Sequence, residues 1–293
     1  MVHHELGIMK RQTKLVIQGY PGSFHDEVSR KYFGNHHIEI LPAKSFHTLA
    51  QMLAEDTSIN YGVMAIENSI AGSILQNYKI LREHDFWISG EAFLRINMQL
   101  MALPGQQISD IQSVQSHPMA IYQCTEYFRD HRHISLSESE DTALAAKKIA
   151  DGQLQGVGAI ASRTAAETYG LEILAEDIET SKLNYTRFVI ISRQPEYSSL
   201  GNANKASIYL RVPHQQGSLL RVLQKISDHT INISKLQSFP VLGEFNTYYF
   251  HLDLEFDNFE QYENCIEDVK EVSSVLEELG VYKKATIHDH QTV

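Results

Sequence analysis

The chain has 293 residues, of which 43% are hydrophobic and 21% are charged, and its formal net charge is −11. This composition is typical of a folded protein with a substantial core, and the acidic balance disfavours a nucleic-acid surface, which needs clustered positive charge. The apolar runs are too short for a membrane-spanning helix, so we expect a chain that contacts neither nucleic acid nor a membrane.

Four segments share one pattern, in which a short apolar strand runs into small polar residues and then into a helical pattern. They are residues 15–17 before 19–23, 63–66 before 67–73, 113–115 before 116–118, and 157–160 before 161–164. In an open parallel sheet such polar residues lie at the carboxyl ends of the strands, where ligands bind and helices present free N–H groups. The pattern therefore predicts an α/β domain with a site for a small anion.

A further apolar strand begins after Asn184 and Tyr185 and continues through residues 188–191. Thr186 stands at the mouth of this strand, so its hydroxyl is expected to be positioned by the protein rather than solvated. Because strand residues alternate between faces, Arg187 should face away from a ligand that Thr186 contacts, unless the strand bends.

Residues 195–204 are polar, contain proline and glycine, and predict a linker. The later elements are expected to be a strand over 207–212, a helix from Gly217–Ser218, a strand from 231, a strand over 247–254, a helix over 259–279 and a strand over 281–287. This order is ferredoxin-like, with helices on one face of a small sheet. The other face has to be covered or exposed, which favours pairing with a second copy.

Cysteine and histidine usage indicates neither a disulfide nor a metal site. Cys124 and Cys265 lie far apart without a C-x-x-C motif, which predicts two buried thiols in a reducing compartment. Histidines are dense at residues 36–37, 131–133 and 288–290, but they lack the spacing of a zinc-enzyme helix. We expect no metal and no cofactor. Residues 1–12 lack the apolar segment of a secretory signal, which favours a cytoplasmic location.

Short sequence blocks then follow one another along the chain. They are the glycine turn at 19–24, E-N-S-x-x-G at 67–72, S-H-P at 116–118 with Gln123–Cys124 behind it, D-T-A at 141–143, and T-R-F at 186–188. In this order they resemble the blocks of prephenate dehydratases with a C-terminal ACT-type regulatory domain. The resemblance runs from Lys14 to Ile287, with residues 217–219 in the place of G-A-L and 237–240 in the place of E-S-R-P.

The blocks depart from the family pattern at a few positions. Met119 follows S-H-P where glutamine is usual, and Leu144 follows D-T-A where glycine is common. These two changes are expected to leave the catalytic residues unaffected. Gln237 and Phe239 replace the glutamate and arginine of E-S-R-P, which is expected to alter the details of regulation.

The resemblance implies a two-lobed α/β catalytic domain over residues 1–194, similar to periplasmic-binding-protein architecture. A linker over 195–204, a βαββαβ ACT domain over 205–287 and a tail over 288–293 would follow. The implied activity is that of a hydro-lyase of L-phenylalanine biosynthesis, which dehydrates and decarboxylates prephenate to phenylpyruvate. L-phenylalanine would inhibit it through the ACT domain, in a homodimer or homotetramer.

The resemblance also implies functional residues. The implied catalytic residues are Thr186 (donor to the leaving hydroxyl), Asn68, Ser116 and Gln123. The implied substrate-binding residues are Ser69, Thr142, Arg187 and Glu67. The implied phenylalanine-binding residues are Gly217, Ser218, Leu219, Asn232, Gln237 and Ser238.

Structural alternatives exist for several of these residues. Asn68 and Ser69 could merely cap a helix after Ile66, and Ser116 could cap the helix that begins with S-H-P. Asp141–Thr142 reads as a helix start in its own right. Two other functions stay open, an amino-acid sensor that performs no chemistry and a dehydratase that prefers arogenate over prephenate.

Overall fold

The structure is a computed structural model that describes residues 12–34, 38–196, 201–241, 243–244 and 246–286. Its first elements are β1 (Thr13–Gln18), α1 (Phe24–Phe33), β2 (Ile38–Ala43), α2 (Phe46–Glu55), β3 (Tyr61–Asn68), β4 (Gly72–Ser73), α3 (Leu75–Glu83) and β5 (Trp87–Arg95). Serine side chains cap the first two helices, because Ser23 accepts from the third residue after it at α1 and Ser45 does the same at α2.

The next elements are β6 (Gln99–Ala102), β7 (Ser113–Ser116), α4 (Pro118–Gln123), α5 (Thr125–Arg129), β8 (Ser135–Glu138), α6 (Thr142–Gly152), β9 (Val157–Ala161), α7 (Arg163–Tyr169), β10 (Glu172–Ala175) and β11 (Tyr185–Ser192). Asp141 caps α6 and Ser162 caps α7. The predicted helix start at Asp141–Thr142 is therefore confirmed. In the part of the chain that is described, every helix is too short or too polar to cross a bilayer.

These strands form two sheets. The first has the order β2-β1-β3-β11-β5 with β4 beside β3, and β1 runs parallel to both β2 and β3. The second has the order β10-β6-β9-β7-β8, in which β7 runs parallel to β8 and β9. The expected α/β architecture with two lobes is confirmed, and each sheet supplies two of the strands that end in polar residues.

The segment after β3 differs from the predicted pattern of a strand followed directly by a helix. The chain turns at Ser69–Ala71, forms β4 antiparallel to the end of β3, and only then begins α3. The alternative in which Asn68 and Ser69 cap a helix after Ile66 is therefore wrong. The side-chain oxygen of Asn68 accepts the backbone N–H groups of the turn, and this local bonding competes with a helix.

The C-terminal elements are β12 (Lys205–Arg211), α8 (Ser218–Asp228), β13 (Asn232–Pro240), β14 (Tyr248–Glu255), α9 (Phe259–Val272) and β15 (Val275–Tyr282). The strands form an antiparallel sheet in the order β13-β14-β12-β15. Alternate strand residues such as Ile208 and Leu252 pack with Val222 and Ile226 of α8 in one buried cluster. The predicted ferredoxin-like order is confirmed.

The predicted boundary between the last helix and the last strand is wrong. The sequence favoured a helix over 259–279 and a strand over 281–287, whereas α9 ends at Val272 and β15 begins at Val275. Val272, Val275 and Leu279 have helical spacing, but β15 pairs with β12 along its length, and this pairing overrides the local pattern. Ile287 lies outside the described residues.

The chain divides into two compact units, Met1–Ile74 with Leu94–Phe188, and Leu75–Phe93 with Val189–Val293. The predicted boundary at residue 194 does not separate them, because Leu75–Phe93 belongs with the C-terminal segment. In this second unit α3 packs on the sheet face that α8 and α9 leave free. The Arg82 guanidinium lies 5.2 Å from the ring centroid of Tyr209 and 4.7 Å from that of Tyr249.

Both cysteines are free and buried, as predicted. Burial raises the pKa of the Cys124 thiol and that of the Cys265 thiol to about 12, so neither is a reactive thiolate. Residues 197–200 of the predicted linker, the histidines at 36–37 and 288–290, and the tail from 288 lie outside the described residues.

Candidate active site

The polar ends of β3 and β11 meet in the first unit. Asn68 is the last residue of β3, and its Nδ2 donates to the Oγ1 of Thr186 at 2.9 Å and to the Oδ1 of Asn184 at 2.8 Å. Thr186 is only 7% exposed, so its hydroxyl is held by the protein as the sequence predicted. Because this oxygen accepts from Asn68, its own hydrogen remains to be donated to another group.

Asn184 is a functional candidate that the sequence reasoning did not select. Its side chain is fully buried, its Oδ1 accepts from Asn68, and its Nδ2 donates to the Oε1 of Gln123 at 3.0 Å. Gln123 ends α4, which follows the second sheet's strand β7. The signal in the sequence was the position of Asn184 beside the T-R-F block, but its partners lie 61 and 116 residues away.

Ser116 ends β7, where the sequence placed a catalytic residue. Its side chain is fully buried, and its hydroxyl donates to the backbone oxygen of Ile160 in β9 at 2.6 Å. The helix cap is His117, whose Nδ1 accepts from the Met119 N–H, so the alternative with Ser116 as the cap is wrong. With its hydrogen committed, Ser116 can serve a ligand only as an acceptor.

Ser69 has a structural role in the turn after β3. Its hydroxyl donates to the Leu183 oxygen at 3.1 Å and accepts from the Tyr185 N–H at 2.9 Å. The Ser69 N–H also donates to the Tyr185 oxygen at 2.8 Å. These bonds attach the turn to the start of β11 and thereby hold Asn68 beside Thr186.

Glu67 and Arg187 are the sequence neighbours of Asn68 and Thr186, the two residues that contact each other. Glu67 precedes Asn68 on β3, and Arg187 follows Thr186 on β11, so their side chains leave the strands on the opposite face. Arg187 is buried, and both residues have interaction partners in the protein. This placement does not bring either side chain to the contact between Asn68 and Thr186.

Thr142 begins α6, and the preceding Asp141 faces the glycine turn. The Asp141 carboxylate accepts from the Leu144 N–H at 2.9 Å. Desolvation raises the pKa of Asp141, while the backbone N–H groups and His117 act in the opposite direction. Gly19 has φ +97°, and a Cβ there would lie 2.9 Å from the Asp141 Oδ2, so the turn needs glycine at this position.

The glycine turn after β1 packs on α7, which follows β9. The Ser162 hydroxyl donates to the Gly22 oxygen at 2.6 Å, and the Tyr169 hydroxyl donates to the Pro21 oxygen at 2.7 Å. A Cβ on Gly22 would lie 2.8 Å from the Ala165 Cα, so this contact also requires glycine. The polar segments that follow β1 and β9, one from each sheet, thus contact each other.

His25 is a buried histidine of α1 that the sequence reasoning missed. Its Nε2 accepts from the Ala65 N–H at 3.2 Å, and its ring contacts that of Phe188 edge-on at 5.0 Å. Burial lowers the pKa of His25 from 6.5 to about 3, so the ring is neutral in the folded protein. It serves as an acceptor inside the first sheet's packing.

Acid should therefore destabilise the fold through His25. Because the unfolded chain binds this proton near pH 6.5 and the folded chain only near pH 3, stability is lost as pH falls between these values, by up to about 1.4 kcal/mol per pH unit. Urea unfolding between pH 7 and pH 5 should show this loss, and His25→Gln, which keeps an acceptor, should reduce it. The exposed His47→Gln is the control. Equal pH dependence in wild type and His25→Gln would contradict the assignment.

No group of three or more histidine, cysteine, aspartate or glutamate side chains is arranged to hold a metal ion within the described residues. His131 and His133 have ring centroids 6.2 Å apart, and His131 stacks on Tyr127 at 4.6 Å. The side chains that meet at the ends of β3 and β11 are amides and a hydroxyl. This donor set suits a ligand that brings its own negative charge.

A pocket of about 380 Å³ lies in the second unit at the start of α8. Its lining residues are Val212, Pro213, His214, Gln215, Gly217, Ser218, Leu219, Leu220, Asn246, Thr247, Tyr248 and Phe250. Gly217, with φ +80°, Ser218 and Leu219 line this pocket as the sequence suggested.

Within one chain the other predicted phenylalanine-binding residues do not join this pocket. Asn232 begins β13 opposite Glu255, at the far end of the strand from Pro240, which pairs with the pocket residue Tyr248. Gln237 and Ser238 lie on the edge strand, and the Gln237 side chain donates to the Ser238 oxygen at 3.1 Å. The six residues therefore do not form one pocket within a single chain, because strand direction separates Asn232 from Gly217.

Comparison with known proteins gives consistent matches. A family model described as prephenate dehydratase matches residues 15–196. A protein of Arabidopsis thaliana, arogenate dehydratase/prephenate dehydratase 1, chloroplastic, is 35% identical over 229 residues. The match covers 78% of this chain but only 57% of that protein, so the chain spans little more than half the length of this relative.

Solved structures match over most of the chain. The prephenate dehydratase of Staphylococcus aureus has a TM-score of 0.79 and 28% identity, over 92% of this chain and 100% of that one. GqqA, described as a novel type of quorum quenching acylase, has a TM-score of 0.83 and 28% identity, over 93% and 98%. A prephenate dehydratase from Arthrobacter aurescens in complex with L-Phe has a TM-score of 0.82 over 93% and 90%, and its 24% identity supports the fold alone.

Proposed function

The chain belongs to the prephenate dehydratase family, and on this basis we propose that the ends of β3 and β11 form the site that converts prephenate to phenylpyruvate. The reaction is that of a carbon–oxygen lyase in L-phenylalanine biosynthesis. The ring C–O bond breaks, the electrons of the C–CO₂ bond enter the ring as CO₂ leaves, and the departing hydroxide takes up one proton, ultimately from solvent, to form water. Because the ring becomes aromatic, the thermodynamic drive lies in the substrate.

The contact between Asn68 and Thr186 is the observation that carries this proposal. It turns the Thr186 oxygen into an acceptor and leaves the hydroxyl hydrogen for the departing group of the substrate. A threonine is a weak acid, so a hydrogen-bond chain or a substrate carboxyl has to relay a proton from solvent to the leaving hydroxyl by way of Thr186. Holding the substrate in the correct orientation next to this donor contributes further to the rate enhancement.

The test is turnover of prephenate by the purified full chain after chelation and dialysis, followed through the phenylpyruvate formed. No metal or cofactor is assigned to the site, so activity should survive this treatment. Recovery of lost activity by added zinc or magnesium would contradict the cofactor assignment. Absence of turnover with both prephenate and arogenate would reject the proposed function and favour an amino-acid sensor.

Arogenate is the second candidate substrate, because the plant relative's name includes both activities. Arogenate has an amino group where prephenate has a keto group. This position is far from the hydroxyl that Thr186 is proposed to contact. The ratio of kcat/KM for the two substrates measured on one preparation decides between them. We retain prephenate as the proposed substrate.

An acylase activity such as the one described for GqqA would need a hydroxyl whose proton a base can accept. Ser116 and His117 do not offer this arrangement, because the Ser116 hydroxyl donates to Ile160 and the His117 ring caps α4. The geometry therefore favours the lyase over an acyl-transfer mechanism at these residues.

L-phenylalanine is the proposed inhibitor, bound in the second unit. The pocket at the start of α8 offers N–H groups for a carboxylate, and Leu219, Tyr248 and Phe250 give it an apolar side for a phenyl ring. The related Arthrobacter enzyme was solved with this amino acid. Inhibition requires that phenylalanine bind a less active state more tightly than the active one.

Replacement of Gly217 should abolish this regulation. Because Gly217 has φ +80° at the pocket wall, Gly217→Val strains the turn that presents α8 to the ligand. We expect the wild type to be inhibited by millimolar phenylalanine with a measurable heat of binding, and the variant to lose both while retaining turnover. Gly105→Val, at φ +83° in the first unit, is the matched control. If the wild type shows no inhibition and no heat of binding, the regulatory proposal is refuted.

Assembly as a homodimer or homotetramer and a cytoplasmic location are further proposals. β13 is an edge strand of the C-terminal sheet and exposes Leu236, and two such edges can pair. A monomer in light scattering at micromolar concentration would contradict the assembly. The two buried, free thiols support a reducing compartment.

A further inference from the structure

Asn184 occupies the centre of a row of side chains that ends at the proposed catalytic hydroxyl. The row runs from Gln123 through Asn184 and Asn68 to Thr186, with contacts of 3.0, 2.8 and 2.9 Å. Asn184 is fully buried, and its hydrogen bond toward the reacting end of this row goes to Asn68. A role in the reaction proposed above would therefore be to position other groups.

The donors and acceptors along the row admit one arrangement. The Asn68 oxygen accepts the N–H groups of Ile70 and Ala71, so its NH₂ group has to face Asn184 and Thr186. An NH₂ group has two hydrogens, and its two shortest bonds go to Asn184 and Thr186, while the Tyr185 backbone oxygen lies farther away at 3.4 Å. The Asn184 oxygen is thus one of the acceptors that set the orientation of Asn68, and hence the direction of the Thr186 hydrogen.

The amide nitrogen of Asn184 connects this residue to the end of α4. Its Nδ2 donates to the Gln123 side chain, and the Gln123 backbone oxygen accepts from the Thr180 N–H at 2.8 Å. The backbone oxygen of Asn184 in turn accepts from the Ile96 N–H at 2.7 Å, which fixes the loop before β11. The end of α4 and the start of β11 are therefore joined through Asn184 within the first unit.

We propose that Asn184 is a positioning residue that aims the Thr186 hydroxyl by holding Asn68 on one side and Gln123 on the other. The amide suits this role because it is donor and acceptor at once. A carboxylate would keep the acceptor for Asn68 and lose the donor for Gln123, and an aliphatic side chain would lose both. The inference rests on the proposed function of Thr186.

The test compares Asn184→Leu in the wild-type background and in the Thr186→Val background, with prephenate as substrate. In the wild-type background we expect kcat to fall on the order of 10- to 100-fold while KM changes by less than about threefold, because geometry and not substrate binding is lost. In the Thr186→Val background the same change should lower kcat by no more than about twofold, since the hydroxyl it positions is absent.

A second variant and a control separate positioning from loss of stability. Asn184→Asp keeps the acceptor for Asn68, so its kcat should lie between those of the wild type and Asn184→Leu. This order should hold whether Asn184→Asp or Asn184→Leu is the less stable variant in thermal unfolding. Asn77→Leu removes another fully buried asparagine, in the second unit, and should leave kcat unchanged at temperatures where it is folded.

The outcomes are distinct. Equal losses of kcat in the two backgrounds, or a change in KM alone, would overturn the positioning role while leaving the dehydratase assignment intact. A wild-type chain that turns over neither prephenate nor arogenate would overturn the proposed function and this inference with it. Asn184→Asp with the same kcat as Asn184→Leu would show that the acceptor for Asn68 is not what matters, and would also overturn the proposal.

Discussion

Replacement of Thr186 with valine should lower kcat for prephenate by at least ~100-fold, the range associated with loss of a positioned proton donor. Valine has nearly the same shape as threonine but no hydroxyl, so the departing group loses its hydrogen-bond donor. In the structure the Thr186 oxygen is buried and accepts from Asn68. The measurement is steady-state turnover with thermal unfolding of the same preparation.

Two further variants show whether the hydroxyl itself is responsible. Thr186→Ser keeps the hydroxyl and should retain most of the turnover. Thr168→Val removes an exposed hydroxyl that bonds only to the backbone oxygen of Thr164 on α7, and should change nothing. Near-normal turnover in folded Thr186→Val would refute the assignment of this residue as the donor.

Removal of the buried Lys205 charge should give the largest loss of stability, about 3–5 kcal/mol for Lys205→Met. The Lys205 ammonium lies 2.9 and 3.1 Å from the two carboxylate oxygens of Glu91, and the side chains are 5% and 0% exposed. Both residues belong to the second unit. The variant leaves the Glu91 charge buried without its cation, which is the main source of the loss.

The double variant Glu91→Gln/Lys205→Met should recover most of this stability. It removes both charges of the pair, and glutamine keeps an oxygen for the Ala285 N–H, which donates to the Glu91 Oε1 at 3.1 Å. The exposed pair Lys270–Glu267 is the control, where Lys270→Met should change the free energy of unfolding by less than about 1 kcal/mol. A loss of the same small size for Lys205→Met in urea unfolding would contradict the prediction.

Local patterns in the sequence predicted much of the fold. Alternation over 207–212 and the helical spacing from Leu219 gave the first strand and helix of the C-terminal sheet correctly. Polar residues next to apolar runs gave the strand ends of the first unit, with Asn68 after the run of β3 and Thr186 before the run of β11. These features depend on periodicity and helix caps, which neighbouring residues determine.

Helical spacing alone misplaced the end of α9. Residues 275–279 continue the apolar spacing of the helix, yet they belong to β15, because pairing with β12 outweighs a weak local preference. Gly280 of this strand packs so closely on the backbone of Ile88 that a Cβ would lie 2.2 Å from its oxygen. A contact between residues this far apart in the chain is invisible to any local pattern.

Composition, periodicity and the ordered blocks by themselves determined the α/β class, the ferredoxin-like C-terminal sheet and the presence of hydroxyls and amides at strand ends. Only the tertiary structure decided that Leu75–Phe93 packs with the C-terminal segment, that Asn232 lies far from Gly217 in one chain, and that Asn184 joins Gln123 to Asn68. The physical reason is that strand direction, side-chain packing and hydrogen bonds between distant segments exist only after the chain has folded, whereas helix caps and apolar spacing are already present in the unfolded sequence.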